Sequence, residues 1–366
     1  MAFFLQQIIA TDYRAGLFKQ LADHNSVARF VYSGRVGFDA AQCTHDVCKP
    51  YIQPVKNHYY LKRHICWQRG IVVPLVQAKQ VILNFNVRTL SNWKILSARH
   101  RAGKKTILWG HASGTLPASI SRPAYALHLS KANGFITYTK SQQKVLEESF
   151  PNLPTWAAPN ACMRGADSYP DPEADQTVLT DVLYVGRLKG NKKPLLLAKA
   201  FRSALAANLL PDTTRLVYVG SGNEAEKIQN YARKHGFKNR LVMHGHVSDV
   251  NALREIYGKS FVAVSPGYAS LSVTQALAFG NWLLIADNEP HSPEIEAVEP
   301  GFNGQFFAAD DPDALAAAIQ EAWQNRAEHF DCRPDISTKT RQNYSFEAMA
   351  KAFVNALEYC RHRNRD

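Results

Sequence analysis

The chain has 366 residues, of which 46% are hydrophobic and 20% charged. That composition excludes a collagen-like, coiled-coil or wholly disordered chain, and the length suits two domains. The net charge of +12 calls for an acidic partner: nucleic acid, a membrane surface or a phosphorylated small molecule. The charge is unevenly placed, with a net +14 in residues 1–160 and −2 in residues 161–366. Residues 47–146 hold sixteen Lys or Arg and no carboxylate.

In chain order, the apolar start reads as a buried strand over 3–9, since it has neither a basic leader nor a small-residue cleavage site. Further strands are predicted over 28–32, 81–85, 106–109, 134–138 and 156–158, then 182–185, 215–219, 241–243, 261–264 and 282–285. Helices are predicted over 14–23, 141–149 with Ser141 as cap, 192–207, 223–235 and 313–326, the last opened by Asp311-Pro312. Most strands are uniformly apolar, which predicts parallel sheets covered by helices on both faces. Residues 58–69 mix cations with Tyr, Trp, Leu and Ile. They read either as an interfacial amphipathic helix or as a surface helix with one core face. No run approaches ~18 apolar residues, so no membrane-spanning helix is expected. The six cysteines match no zinc spacing and read as free thiols of a reducing cytosol, with Cys43 and Cys48 the one close pair.

Residues 161–180, rich in Gly, Asp, Pro and Ser, read as a linker. The expected architecture is α/β: two doubly wound units over 1–160 and 181–345, then a closing helix within 346–366, long enough to cross back.

Four strand-to-loop junctions carry the candidate chemistry. Gly186-Arg187-Leu188 follows a strand, with Lys192 five residues beyond Arg187; a guanidinium fork and an ammonium near a helix start suit a diphosphate, although a solvated basic loop has the same pattern. Gly220-Ser221-Gly222 is a glycine turn that brings backbone to a ligand or simply turns tightly. Gly245-His246-Val247 ends another strand, with His246 read as a loop residue. Ser265-Pro266-Gly267 ends a fourth and leads through small residues to a helix at Leu271, Ser272 and Val273, whose N–H groups suit phosphate, with Gln275 one turn in. A buried crossover packed with small residues reads the same way.

In this order, together with Pro293-Glu294-Ile295 and Gly301-Phe302-Asn303-Gly304, the pieces resemble the nucleotide-sugar-binding domain of retaining glycosyltransferases of family four. The resemblance spans about residues 155–326. The first half is similar more loosely, through Tyr13-Arg14, Trp109-Gly110-His111 and Ala158-Pro159-Asn160. The versions it resembles serve bacterial capsule, O-antigen or exopolysaccharide pathways.

The resemblance implies the GT-B fold, two Rossmann-like domains facing across a cleft. It implies a metal-independent enzyme that moves a sugar, with retention, from a nucleotide-sugar to a lipid-linked glycan, with no other cofactor. Arg187 and Lys192 would neutralise the donor diphosphate and His111 would reach the donor sugar. Gly220, Gly222, His246, Val247, Ser265, Gly267, Leu271, Ser272, Val273, Gln275 and Glu294 would line the donor site. Tyr13, Arg14, Lys62, Arg63 and Trp67 would face the acceptor or an anionic membrane at the inner face of the plasma membrane. The family's two glutamates, seven residues apart, are replaced by Gly267 and Gln275, and His291 is a candidate to read the sugar beside Glu294. Rival expectations are a non-catalytic binding partner of the same fold, a nucleotide-sugar epimerase, and a nucleic-acid binder, the last lacking a reading motif.

Overall fold

A computed structural model describes residues 1–40, 42–43, 45–111, 118–167 and 179–362. Most of the expected linker, and the end of the closing helix at residue 363, lie outside these residues. The chain divides into two compact units, Met1–Cys162 with Phe346–Asp366, and Met163–Ser345.

The first unit contains strands β1 (Phe3–Ile9), β2 (Val31–Gly34), β3 (Ile52–Pro54), β4 (Lys56–Tyr60), β5 (Ile65–Arg69), β6 (Gln80–Asn84), β7 (Thr106–Gly110), β8 (Gly134–Thr137) and β9 (Thr155–Ala157). Seven form a parallel sheet in the order β3-β2-β1-β6-β7-β8-β9. Every residue of β7 and β8 is buried, as expected for strands covered on both faces. The helix Phe346–His362 supplies part of that cover: Phe353 meets Trp109 edge-on at 4.8 Å, and Tyr359 meets Trp156 at 5.6 Å. The strand predicted over 28–32 falls instead at Val31–Gly34, in register with Leu5–Ile9 of β1. β3 (Ile-Gln-Pro) and the last strand of the second sheet (Gly-Gln-Phe-Phe), each interrupted by glutamine, escaped the sequence reading.

The helix expected over 58–69 is corrected to an antiparallel hairpin, β4 with β5. Cys66 and Gln68 are buried while their neighbours Ile65, Trp67 and Arg69 are not, so the segment has the period of a strand. Its aromatic and β-branched residues also favour a pleated surface. Leu61, Lys62 and Arg63 turn the chain with φ of 48°, 50° and 69°. Arg63 stabilises that unusual turn by donating to the carbonyls of Gly37 and Phe38, and its guanidinium lies 4.2 Å from the centre of the Tyr59 ring.

The second unit contains β10 (Asp181–Val185), β11 (Arg215–Val219), β12 (Leu241–Met243), β13 (Ser260–Ser265), β14 (Leu283–Ala286) and β15 (Gly304–Phe307). They form a parallel sheet in the order β12-β11-β10-β13-β14-β15. A two-pronged ion pair, Arg215 Nε to Asp181 Oδ1 at 2.8 Å and Nη2 to Oδ2 at 2.6 Å, joins the amino ends of β10 and β11.

Two helix starts differ from expectation. Thr139, not Ser141, caps the helix Lys140–Ser149, its hydroxyl accepting from the Gln142 N–H at 3.0 Å. The helix expected from residue 192 begins at Pro194, because Gly190–Lys192 forms a tighter turn and Lys193 adopts the left-handed conformation, φ 49°. Asp311 caps the helix Pro312–Gln324 as its sequence indicates. All six cysteines are free thiols. Among the described residues no helix is long and apolar enough to cross a membrane.

Candidate functional site

The second unit gathers its candidate residues at the carboxyl ends of its strands. Backbone hydrogen bonds tie the loops there into one platform. Gly186 N–H donates to Val219 O at 2.9 Å, Leu188 N–H to Ser221 O at 2.9 Å, and Gly220 N–H to Gly245 O at 2.6 Å. Gly220, with φ +139°, is required by this packing: a Cβ there would lie 1.9 Å from the Gly186 carbonyl oxygen. Gly222 is confined in the same way by Leu188 O, at 2.2 Å from an added Cβ. The glycine turn therefore serves loop-to-loop contact. His246 is exposed on the next loop and Val247 is half-buried.

Lys192 and Lys193, adjacent in sequence, have separate fates. Lys193 is spent on two carboxylates, Glu289 and Asp310, the latter at 2.7 Å. Lys192 is 8% exposed. Its ammonium donates to Ser270 Oγ at 2.9 Å and sits 4.6 Å from the centre of the Tyr268 ring. Burial, then the nearby Arg187 guanidinium, lower its pKa to about 8, opposed by the Glu294 carboxylate. Arg187 is exposed at the end of β10, where its own carbonyl accepts from the Tyr184 hydroxyl at 2.9 Å. Glu294 is 5% exposed and accepts from the Ser292 hydroxyl. Arg187, Lys192, Ser270 and Glu294 thus share one electrostatic neighbourhood. Ser270 and Tyr268 were not singled out from sequence. Their place in the small-residue loop was visible, but their meeting with Lys192, 78 residues earlier, was not.

Gly267 lies against that same turn. An added Cβ would fall 2.8 Å from Asn191 O and 2.9 Å from the Lys192 carbonyl carbon. The loop is also held there by Tyr268 N–H donating to Asn191 O at 3.0 Å. The glutamate expected at 267 has no room, a steric reason for the departure. Gln275 accepts from the Tyr257 hydroxyl at 3.3 Å. Ser265 is buried at the end of β13. Leu271 and Ser272 open the short helix Ser272–Ala278, and the Val273 N–H already donates to Ser270 O at 2.8 Å.

The reading of His291 as a sugar contact is corrected. Its Nδ1 accepts from Ala269 N–H at 3.0 Å and its Nε2–H donates to Ala286 O at 2.8 Å. Both ring nitrogens are used to join the 269 loop to the end of β14, which leaves none for a ligand.

The remaining candidates lie in the first unit. His111 is exposed after β7, its Nδ1 3.5 Å from Gln142 Nε2 and its ring 4.4 Å from that of Tyr138. Arg14 is half-buried and donates to Gln7 Oε1 at 2.6 Å, Tyr138 Oη at 2.9 Å and Tyr13 Oη at 3.3 Å, with its guanidinium 4.4 Å from the centre of the Trp109 ring. Arg14, Tyr13, Gln7, Asn84, Asn86 and Tyr138 line a polar pocket of about 270 Å³ at the carboxyl ends of β1, β6 and β8. Trp67 is half-buried, with the Lys94 ammonium 5.9 Å from its ring centre. Lys62 is exposed, and Arg63 is engaged in the hairpin turn.

No curated protein is a significant sequence match. Solved structures match over nearly the whole chain. HepE from Anabaena, solved in complex with UDP, is 12% identical with a TM-score of 0.71, over 98% of this chain and 100% of that one. A glycosyltransferase from Rickettsia africae is 11% identical with a TM-score of 0.72, over 98% of each chain. The lipopolysaccharide outer core galactosyltransferase WaaB, in its apo form, is 16% identical with a TM-score of 0.62, over 98% of this chain and 99% of that one. At these identities the likeness shows the fold, which is that of GT-B glycosyltransferases: two Rossmann-like α/β units with parallel sheets. Residues 172–342, just under half of the chain, match the family described as Glycosyl transferases group 1, which supports glycosyltransferase activity with a nucleotide-sugar donor.

Proposed function

We propose that this protein is a retaining, metal-independent glycosyltransferase of the family-four kind. It takes a sugar from a nucleoside-diphosphate sugar and passes it to a lipid-linked glycan of a bacterial surface polysaccharide. The observation that carries the donor side is Lys192, a buried ammonium with one hydroxyl partner beside Arg187 and Glu294. As the glycosidic bond to the donor breaks, negative charge grows on the departing diphosphate. A fixed cation in a partly desolvated site stabilises that charge more than water does. Arg187 adds a planar fork suited to phosphate oxygens. The UDP bound by HepE supports a nucleoside diphosphate as the leaving group. His111 and the polar pocket beside Arg14 are assigned to the sugar and its acceptor. The basic first half supports an anionic acceptor, lipid-diphosphate-linked, presented at the inner face of the plasma membrane.

The test is release of nucleoside diphosphate from a panel of nucleotide-sugars, with and without a lipid-diphosphate glycan acceptor and with a chelator present. Acceptor-dependent release that survives chelation, with an axial-to-axial or equatorial-to-equatorial product by NMR, is the expected result. Binding without turnover would replace the reading with that of a binding partner. An inverted product would remove retention.

A further inference from the structure

A pocket of the first unit lies at the opposite, amino edge of its sheet, where β6 and β7 begin. It has a volume of about 670 Å³ and is lined in part by Lys79, Lys104, Lys105 and Arg361, together with Gln77 and Gln80. Among the described residues no carboxylate lines it. Among the described residues none of these four cations is in an ion pair.

The arrangement is held in place from below. Arg99 is completely buried, with no carboxylate partner among the described residues. Its guanidinium donates to the carbonyls of Leu75 and Ala78 at 2.7 Å each, of Lys79 at 3.3 Å and of Lys105 at 2.5 Å, and to the Thr106 hydroxyl at 2.8 Å. One buried cation therefore clamps the two segments that carry Lys79 and Lys105, and adds a fixed positive charge beneath them. Lys104 donates to Val76 O at 2.9 Å and Gln77 O at 3.0 Å, the end of the helix Val72–Gln77. Gln80 Nε2 donates to Leu357 O at 2.6 Å, which ties the helix bearing Arg361 to the same edge.

Like charges gathered around one concavity repel one another unless an anion is present. Three ammonium groups and a guanidinium match the dense charge of a phosphate group better than a single carboxylate. The concave shape and volume suit a small molecule.

We infer that this pocket is a binding site for a phosphorylated ligand, separate from the donor site at the carboxyl edges of the second unit. Its phosphate comes either from a soluble compound or from the headgroup of an anionic lipid.

Amine acetylation of the full chain, read by peptide mass spectrometry, tests the inference site by site, with UDP present to fill the donor site. The probes are inorganic diphosphate, and vesicles of phosphatidylcholine with or without phosphatidylglycerol. Diphosphate at ten times its dissociation constant is expected to slow acetylation of Lys79 and Lys105 by about tenfold, leaving exposed Lys199 of the second unit unchanged. Arg361→Ala, at an exposed position, is expected to reduce that protection. Protection by diphosphate identifies a soluble ligand, and protection only by phosphatidylglycerol vesicles identifies a headgroup; either supports the site. No protection by either probe, or equal protection of Lys199, overturns it.

Discussion

Each unit places a cation against an aromatic ring at the carboxyl ends of its parallel strands, and the two are held in opposite ways. Arg14 of the first unit has three side-chain hydrogen bonds and lies over Trp109. Lys192 of the second has a single hydroxyl partner, Ser270, and lies beside Tyr268. A guanidinium with three N–H groups engaged by side chains fixes the groups around it. A buried ammonium with donors to spare has something left to offer a ligand. The difference separates a cation that shapes a pocket wall from one positioned to receive a leaving group.

The sharpest way to break this comparison is Lys192→Ala. Nucleoside diphosphate release is expected to fall by about 10²- to 10³-fold, the size seen when a placed electrostatic group is removed. Steady-state kinetics beside a thermal melt checks it, and unchanged turnover in a folded variant would end the assignment.

Gly267→Glu restores the carboxylate that the resemblance expects. It is predicted to cost about 1–3 kcal/mol of stability, because the Asn191–Lys192 backbone occupies the space. Urea denaturation measures this, and a neutral effect would show that the turn yields readily. Arg14→Ala is expected to cost about 1–2 kcal/mol, since its partners Gln7 and Tyr138 lose a charged donor. A smaller loss by the same measurement would mean that the guanidinium is not the structural pin described.

The pH dependence sharpens the contrast further. Lys192 titrates near 8 in the folded protein. Above that pH the free site loses its ammonium, and donor affinity is expected to fall about tenfold per pH unit where this group alone controls it. Calorimetry across buffers should show proton uptake on binding, because a bound diphosphate raises the pKa. Lys192→Arg should remove that limb. For folding the sign is the reverse: the folded pKa lies below the unfolded one, so this group's stabilisation is full above about 10.5 and is lost as pH falls toward about 8. The smallest effect is expected from Lys62→Gly. It relieves a positive φ in the hairpin turn and should change stability by less than about 1 kcal/mol, with Lys62→Ala as control.

Much of the fold was legible because parallel strands covered on both faces are mostly apolar. The runs at 3–9, 215–219 and 241–243 coincide with β1, β11 and β12. The hairpin at 56–69 was misread because Tyr, Trp, Ile and Lys in a short segment satisfy a helical face and a strand alternation alike. The antiparallel pairing of β4 with β5 and the alternating burial along β5 distinguish the two.

The sequence by itself determined the α/β class and the concentration of cations in the first half. It also brought Arg187, Lys192 and Glu294 forward as candidates, since composition, periodicity and ordered motifs are local properties. Only the tertiary structure decided which side chains were already spent. His291 and Lys193 are engaged by Ala269, Ala286, Glu289 and Asp310, and Gly267 is confined by Asn191, whereas Lys192 keeps one hydroxyl partner. A hydrogen bond between residues 78 positions apart has no local signature, so partnership, and with it availability for a ligand, is settled by the fold.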